Sequence, residues 1–299
     1  MLRDPLLLCT LLVLGFALNK GRPARAQVIS LKEALNLPKQ PPDHRIPYGD
    51  DPNQFGDLRL PEGDGPFPVV IAIHGGCYQA KYDLTLLSSF CADLTAAGVA
   101  TWSLEYRRVG NEGGGWPGTF EDIARGSDYL RVVAQNYPID LTRVVAVGHS
   151  AGGHFVAWLA ARSRLPKDSV LYSEDPISLL GVVPLAGVMD SRADLEGGVC
   201  EKVTPKMLGG LPSEVPDHYA QASAIELLPI GIPVRSIIGD QDGPVLIDMV
   251  KRYDEKARAA GDDSDLSIVE GAGHFELTTP DSFAWELVKE AVLSLFEPK

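Results

Sequence analysis

The chain has 299 residues, 45% hydrophobic and 22% charged, which is the balance of a globular protein with a sizeable core and excludes disordered or repeat architectures. A formal net charge of −13 with a pI near 4.9 argues against nucleic acid as a partner, because that binding rests on Lys and Arg neutralising phosphates. No basic run of the kind that docks on membrane surfaces is present, and the acidity reads as a solvated, solubilising surface.

The first 26 residues stand apart. Met1-Leu2-Arg3 leads into an apolar run from Leu6 to Leu18 and a polar stretch that ends in Ala24-Arg25-Ala26. Charged start, short apolar middle and small-x-small end are the parts of a secretory signal peptide, so residues 1–26 are expected to be removed near Ala26 and the protein exported, periplasmic or secreted. The 13-residue apolar run is shorter than the about 20 residues that span a bilayer, so no stable membrane insertion is expected after cleavage. Cys9 leaves with the signal, and an oxidising compartment then permits one disulfide among Cys77, Cys91 and Cys200. Cys91 falls in the periodic run Leu84, Leu87, Phe90, Leu94 and reads as a buried free thiol on a helix. Cys77 and Cys200 both lie in loops and are the expected pair.

Residues 27–54, with Pro38, Pro41, Pro42, Pro47 and Pro52, read as an extended N-terminal arm lying on a catalytic domain of residues 55–299. Val69–Ile73 is a short, continuous apolar run, as in a strand buried on both faces, and a helix over about 83–97 follows it up to Gly98. A strand over 99–104, a helix over 120–136, a strand over 143–147 and a helix over 151–162 come next. After the strand at 179–185, residues 190–224 carry several Gly and Pro and no clear strand, which reads as an insertion, a candidate lid, over the sheet. The series closes with a strand at 234–238, a helix over about 245–260, a strand at 266–269 and a helix near 281–296. This alternation predicts an α/β fold, a mostly parallel sheet with helices on both faces, and places reactive groups beyond the carboxyl ends of its strands.

Each chemical motif follows one of those strands. Gly148-His149-Ser150-Ala151-Gly152 sits between a strand and a helix, the setting of a nucleophile elbow, where a tight turn pushes the serine hydroxyl out of the sheet. The alternative is a serine that only caps a helix. Of the six histidines, His274 in Gly271-Ala272-Gly273-His274-Phe275 is the expected base, whereas His149 and His154 read as structural. Gly239-Asp240-Gln241-Asp242 supplies the acid that orients the base; Asp242 is the expected member, with Asp240 bonding the loop backbone. The order Ser150, Asp242, His274 is that of α/β-hydrolases. Ala151 N–H is one expected oxyanion donor, and the loop His74-Gly75-Gly76-Cys77 is expected to supply the rest through Gly76 and Cys77 N–H. His74 and Trp116 are candidate pocket residues. Arg107 or Arg108 either binds a substrate carboxylate or forms a buried ion pair with Glu121 or Asp122, the favoured alternative. No metal-ligand spacing, phosphate loop or dinucleotide fingerprint is present.

His-Gly-Gly, Glu-Tyr-Arg-Arg, Gly-His-Ser-Ala-Gly-Gly, Gly-Asp-Gln-Asp and Gly-Ala-Gly-His-Phe, in this order over roughly residues 55–296, resemble an α/β-hydrolase. Within that superfamily the chain is similar to bacterial esterases of the acetyl-xylan and feruloyl type and to kynurenine formamidase-like proteins. The resemblance implies a triad of Ser150, Asp242 and His274 and no cofactor. Cys77-Tyr78 departs from the aromatic pair or third glycine of many relatives. The expected activity is hydrolysis of a small ester or acylated saccharide through an acyl-enzyme. A formamidase or amidase with the same triad and a catalytically inactive binding protein are the alternatives.

Overall fold

The computed structural model describes residues 28–297, so the expected signal peptide and Cys9 lie outside the described residues. Eight strands form one sheet: β1 (His44–Pro47), β2 (Phe55–Arg59), β3 (Phe67–Ile73), β4 (Ala100–Leu104), β5 (Ile139–His149), β6 (Gly181–Leu185), β7 (Val234–Gly239) and β8 (Ser264–Val269). Their spatial order is β1-β2-β4-β3-β5-β6-β7-β8. β1 and β2 pair antiparallel, β2 pairs antiparallel with β4, and every later neighbour is parallel. The β-branched run Val69–Ile73 is fully buried, because helices cover both faces of the central strands.

The helices are α1 (Leu31–Leu35), α2 (Ser88–Ala96), α3 (Gly118–Asp128), α4 (Leu130–Val133), α5 (Ala151–Ala161), α6 (Thr204–Leu208), α7 (Pro216–Ala222), α8 (Pro244–Ala259) and α9 (Trp285–Ser294). α2 and α9 share one layer: Phe90 packs edge-on to Trp285 at 5.0 Å, and the Trp285 indole N–H donates to Asp93 at 2.8 Å. α3 and α5 pack together in the other layer, with Phe120 4.9 Å from Trp158. α5 is buried nearly all round, since it lies under the short helices of the 190–224 insertion; Trp158 donates to Gln221 O at 2.9 Å.

The N-terminal stretch differs from expectation. Residues 44–47 do not lie on the domain as an arm but extend its sheet as β1, and β2 was not foreseen as a strand. Neither run is long or evenly alternating in the sequence. The pairing of Arg45 with Asp57 across the two strands, at 2.8 Å, becomes visible only once they are adjacent. Residues 190–224 hold no strand, as expected.

Register aligns the strand ends. Ile73 lies opposite Leu104 and Gly148, and Gly239 lies opposite Val269, so the loops after β3, β5, β7 and β8 open on one edge of the sheet.

Candidate active site

Ser150 sits between β5 and α5 at φ 56° and ψ −118°, a conformation that costs an L-residue about 1–3 kcal/mol and survives only where neighbours fix it. Those neighbours are backbone. A Cβ on Gly148 would run into Gly152 O, and one on Gly152 into Ile73 O, so strand and helix approach as only glycine allows. Ser150 N–H donates to Leu185 O at 2.8 Å, and α5 starts at the next residue with Ala151. The positive end of the helix is thereby set beside the hydroxyl.

After β3 the chain passes through three successive positive-φ residues, Gly76 at 104°, Cys77 at 47° and Tyr78 at 60°. Two anchors hold this loop. Cys77 is joined by a disulfide to Cys200 in the insertion, and the buried Tyr78 hydroxyl meets His154 Nδ1 at 2.9 Å. His154 Nε2–H donates to Ala222 O at 2.7 Å, and burial pushes its pKa down to about 4, so it stays neutral. Cys91 lies free and buried on α2, where burial pushes its thiol up to about 11.

After β7 and β8, Asp242 and His274 come together. His274 Nδ1–H donates to Asp242 Oδ2 at 2.7 Å, and Asp242 Oδ1 accepts from Gly243 N–H at 2.9 Å. Burial alone would raise the Asp242 pKa. The hydrogen bond and charge of His274, with the Gly243 N–H, outweigh it and hold the carboxyl below its usual range. With its proton on Nδ1, a neutral His274 presents Nε2 as a base. Asp240 accepts from Gly271 N–H at 2.7 Å and so ties the β7 loop to the β8 loop.

Ser150, His149, His274, Gly76 and Cys77 line one cavity of about 260 Å³. Leu31, Leu86, Val199 and Phe275 give it an apolar side, and Gln79 and Tyr82 complete it. A larger hollow of about 520 Å³ lies against α3, where Arg162 and Asp128 already pair at 2.8 Å.

His149, read from the sequence as structural, belongs to this cavity. Its Nε2–H donates to His274 O at 2.8 Å, and the two rings lie 4.5 Å apart. Burial first, and then the neighbouring His274, push its pKa down to about 3, which keeps it a neutral donor. No sequence signal announced this contact, because the partner is a backbone carbonyl 125 residues away.

Two pocket expectations are corrected. His74 is fully buried at the end of β3, 3.2 Å from Glu105, because Glu105 and Arg108 hold its ring in the interior. Trp116 stacks on His218 at 4.5 Å and meets Phe120 edge-on at 5.4 Å, and these two rings hold it. Neither lines the cavity that holds Ser150. Arg107 forms the expected ion pair with Asp122, at 2.7 Å, whereas Arg108 pairs with Glu105 instead, at 2.5 Å. Among the described residues no cluster of His, Cys, Asp or Glu fits a metal ion, and no helix is long and apolar enough to cross a membrane.

The model of the BD-FAE family matches residues 57–255, which include Ser150 and Asp242 and stop short of His274. No curated protein sequence matches the chain. Among solved structures it is similar to esterase B from Lactobacillus rhamnosis, with TM-score 0.73 and 20% identity over 86% of this chain and 89% of that one. A truncated carbohydrate esterase from gut microbiota gives TM-score 0.71 and 22% identity over 84% and 94% of the two chains. Esterase 2 from the planctomycete Thermogutta terrifontis, with propionate bound, gives 0.69 and 18% over 88% and 98%. The fold these likenesses share is that of the α/β-hydrolases.

Proposed function

The chain belongs to the BD-FAE family, and we propose that it is a serine esterase acting on small esters or acylated saccharides through an acyl-enzyme. The observation that carries the reading is the His274–Asp242 hydrogen bond of 2.7 Å at the cavity that also holds Ser150. Ser150 Oγ attacks the carbonyl carbon while His274 Nε2 takes its proton, and Asp242 holds the tautomer and stabilises the imidazolium. The developing oxyanion accepts from Ala151 N–H and from Gly76 or Cys77 N–H. His274 then passes its proton to the leaving alcohol, and water, activated by the same histidine, releases the acid.

Export is part of the proposal. The Cys77–Cys200 disulfide supports an oxidising compartment, in keeping with the N-terminal signal pattern. The likeness to solved esterases, one of them a carbohydrate esterase, supports the substrate class.

A fluorophosphonate probe tests the mechanism. Folded wild type is expected to be labelled, and Ser150→Ala to lose labelling and at least about 10⁴-fold in kcat while melting normally. Unlabelled, folded wild type overturns the reading. A panel of p-nitrophenyl esters, acetylated xylan and N-formylkynurenine then separates ester from amide substrates.

A further inference from the structure

One wall of the cavity at Ser150 comes from a segment that the family match, which begins at residue 57, does not reach. Leu31, on α1, lines the cavity together with Leu86, Val199 and Phe275. It is 37% exposed and Val199 50% exposed, so large apolar side chains stand open where the cavity meets solvent. Open apolar surface beside convergent polar groups is what a ligand's apolar part covers.

The segment that carries Leu31 is fixed at both ends. Ile29 N–H donates to Glu276 Oε1 at 2.5 Å, while Glu276 Oε2 accepts from Gly273 N–H at 2.9 Å. One buried carboxylate therefore holds both the start of the segment and the loop just ahead of His274. Ser30 and Glu33 close a capping box on α1, which orients its short turn. At the far end Gln40 N–H donates to Ser88 Oγ at 2.8 Å and Ser89 Oγ–H to Pro38 O at 2.7 Å. Residues 28–40 thus form a strap from the His274 loop to the start of α2, next to Leu86, and Leu31 lies between the anchors.

We propose that Leu31 is a specificity-determining residue, the wall against which the apolar group adjoining the scissile ester packs and which limits its length. The proposal rests on the esterase reading. The strap is pinned by hydrogen bonds, so it acts as a fixed wall. Each methylene that packs against it is worth about fourfold in kcat/KM.

The test uses full-length wild type, Leu31→Trp and Leu31→Ala. The substrates are p-nitrophenyl acetate, butyrate and hexanoate, and the acetates of ethanol, butanol and hexanol. In one of the two series, the six-carbon to two-carbon ratio of kcat/KM is expected to fall at least about tenfold in Leu31→Trp. In the same series it rises at least about threefold in Leu31→Ala. Ratios within twofold of wild type in both series overturn the wall, provided the variants still take up a fluorophosphonate at Ser150. Wild type that hydrolyses no ester and takes no probe overturns the esterase reading instead, and the wall with it. Leu31 is outside the core, so thermal melts of both variants are expected to match wild type.

Discussion

Two histidine–carboxylate pairs stand at the carboxyl ends of strands in this molecule, and their surroundings differ. His74 and Glu105, after β3 and β4, are sealed: His74 Nε2 is 3.2 Å from Glu105 Oε1, and Arg108 closes on the same oxygen. His274 and Asp242, after β8 and β7, meet at 2.7 Å with the ring open to the cavity of Ser150. The sealed pair is buried, and its bonds point into the scaffold. His74 Nδ1–H donates to Gly75 O at 2.8 Å, Tyr106 O–H to His74 O at 2.8 Å, and Leu84 N–H to Glu105 Oε2 at 3.1 Å. One pair thus builds the floor of the loop Gly76–Tyr78, and the other is the one to which the esterase reading assigns the proton transfer. Burial would raise the Glu105 carboxyl, but the charge and hydrogen bond of His74 and the charge of Arg108 hold it below its usual range. Arg108 gives the sealed carboxylate a guanidinium partner of its own. Among the described residues Asp242 pairs with no guanidinium or ammonium, which on the esterase reading leaves it to stabilise an imidazolium.

Substitutions in the two carboxylates sharpen this contrast. Asp242→Asn is expected to lower kcat by about 10³–10⁴-fold, because the amide favours the wrong imidazole tautomer, with little change in melting temperature. Burst kinetics and a thermal melt on the same preparation check both halves. An Asp242→Asn enzyme with wild-type kcat would break the contrast outright. Glu105→Ala is expected to act the other way round. It strands Arg108 as a buried, unpaired charge and should cost about 3–5 kcal/mol of stability in urea unfolding. The protein that remains folded is expected to keep kcat within about tenfold. A kcat loss as deep as that of Asp242→Asn would show that the sealed pair also does chemistry.

The smallest effect concerns pH. His149 and His154 have folded pKa values of about 3 and 4, below the 6.5 of an exposed imidazole. The unfolded chain therefore binds protons that the folded chain refuses. Their contribution to stability is complete above about pH 6.5 and is lost as pH falls toward the folded values, at about 1.4 kcal/mol per pH unit for each histidine. Urea unfolding between pH 6.5 and 5 should show this slope, and His154→Gln should remove about one proton from it. An unchanged slope in that variant would mean that His154 titrates in the folded protein.

Much of the parallel half of the sheet was legible. Val69–Ile73 and Val144–Val147 are apolar runs followed by glycine-rich turns, and burial on both faces leaves no other residue type free to stand there. The antiparallel edge was not. β1 and β2 are short and mixed in polarity, and β1 ends on Pro47, so their strand character comes from pairing with each other and with β4. At the site, Ser150, Asp242 and His274 were legible as strand-end residues, because each follows a strand that the pattern already located. His149, Leu31 and Glu276 were not, because their roles depend on atoms far away in sequence: His274 O for the first, the cavity for the second, Ile29 N–H for the third.

The sequence by itself determined where a serine must leave the sheet, since only glycine at 148 and 152 tolerates the approach of strand, helix and Ile73 O. It also determined that Asp242 and His274 follow that serine, in this order, at later strand ends. Which histidine–carboxylate pair faces solvent, and which is walled in with an arginine, was decided by the tertiary structure alone. Residue type and spacing are properties of a local chain segment, whereas access to water and the balance of buried charge depend on every element that packs around it.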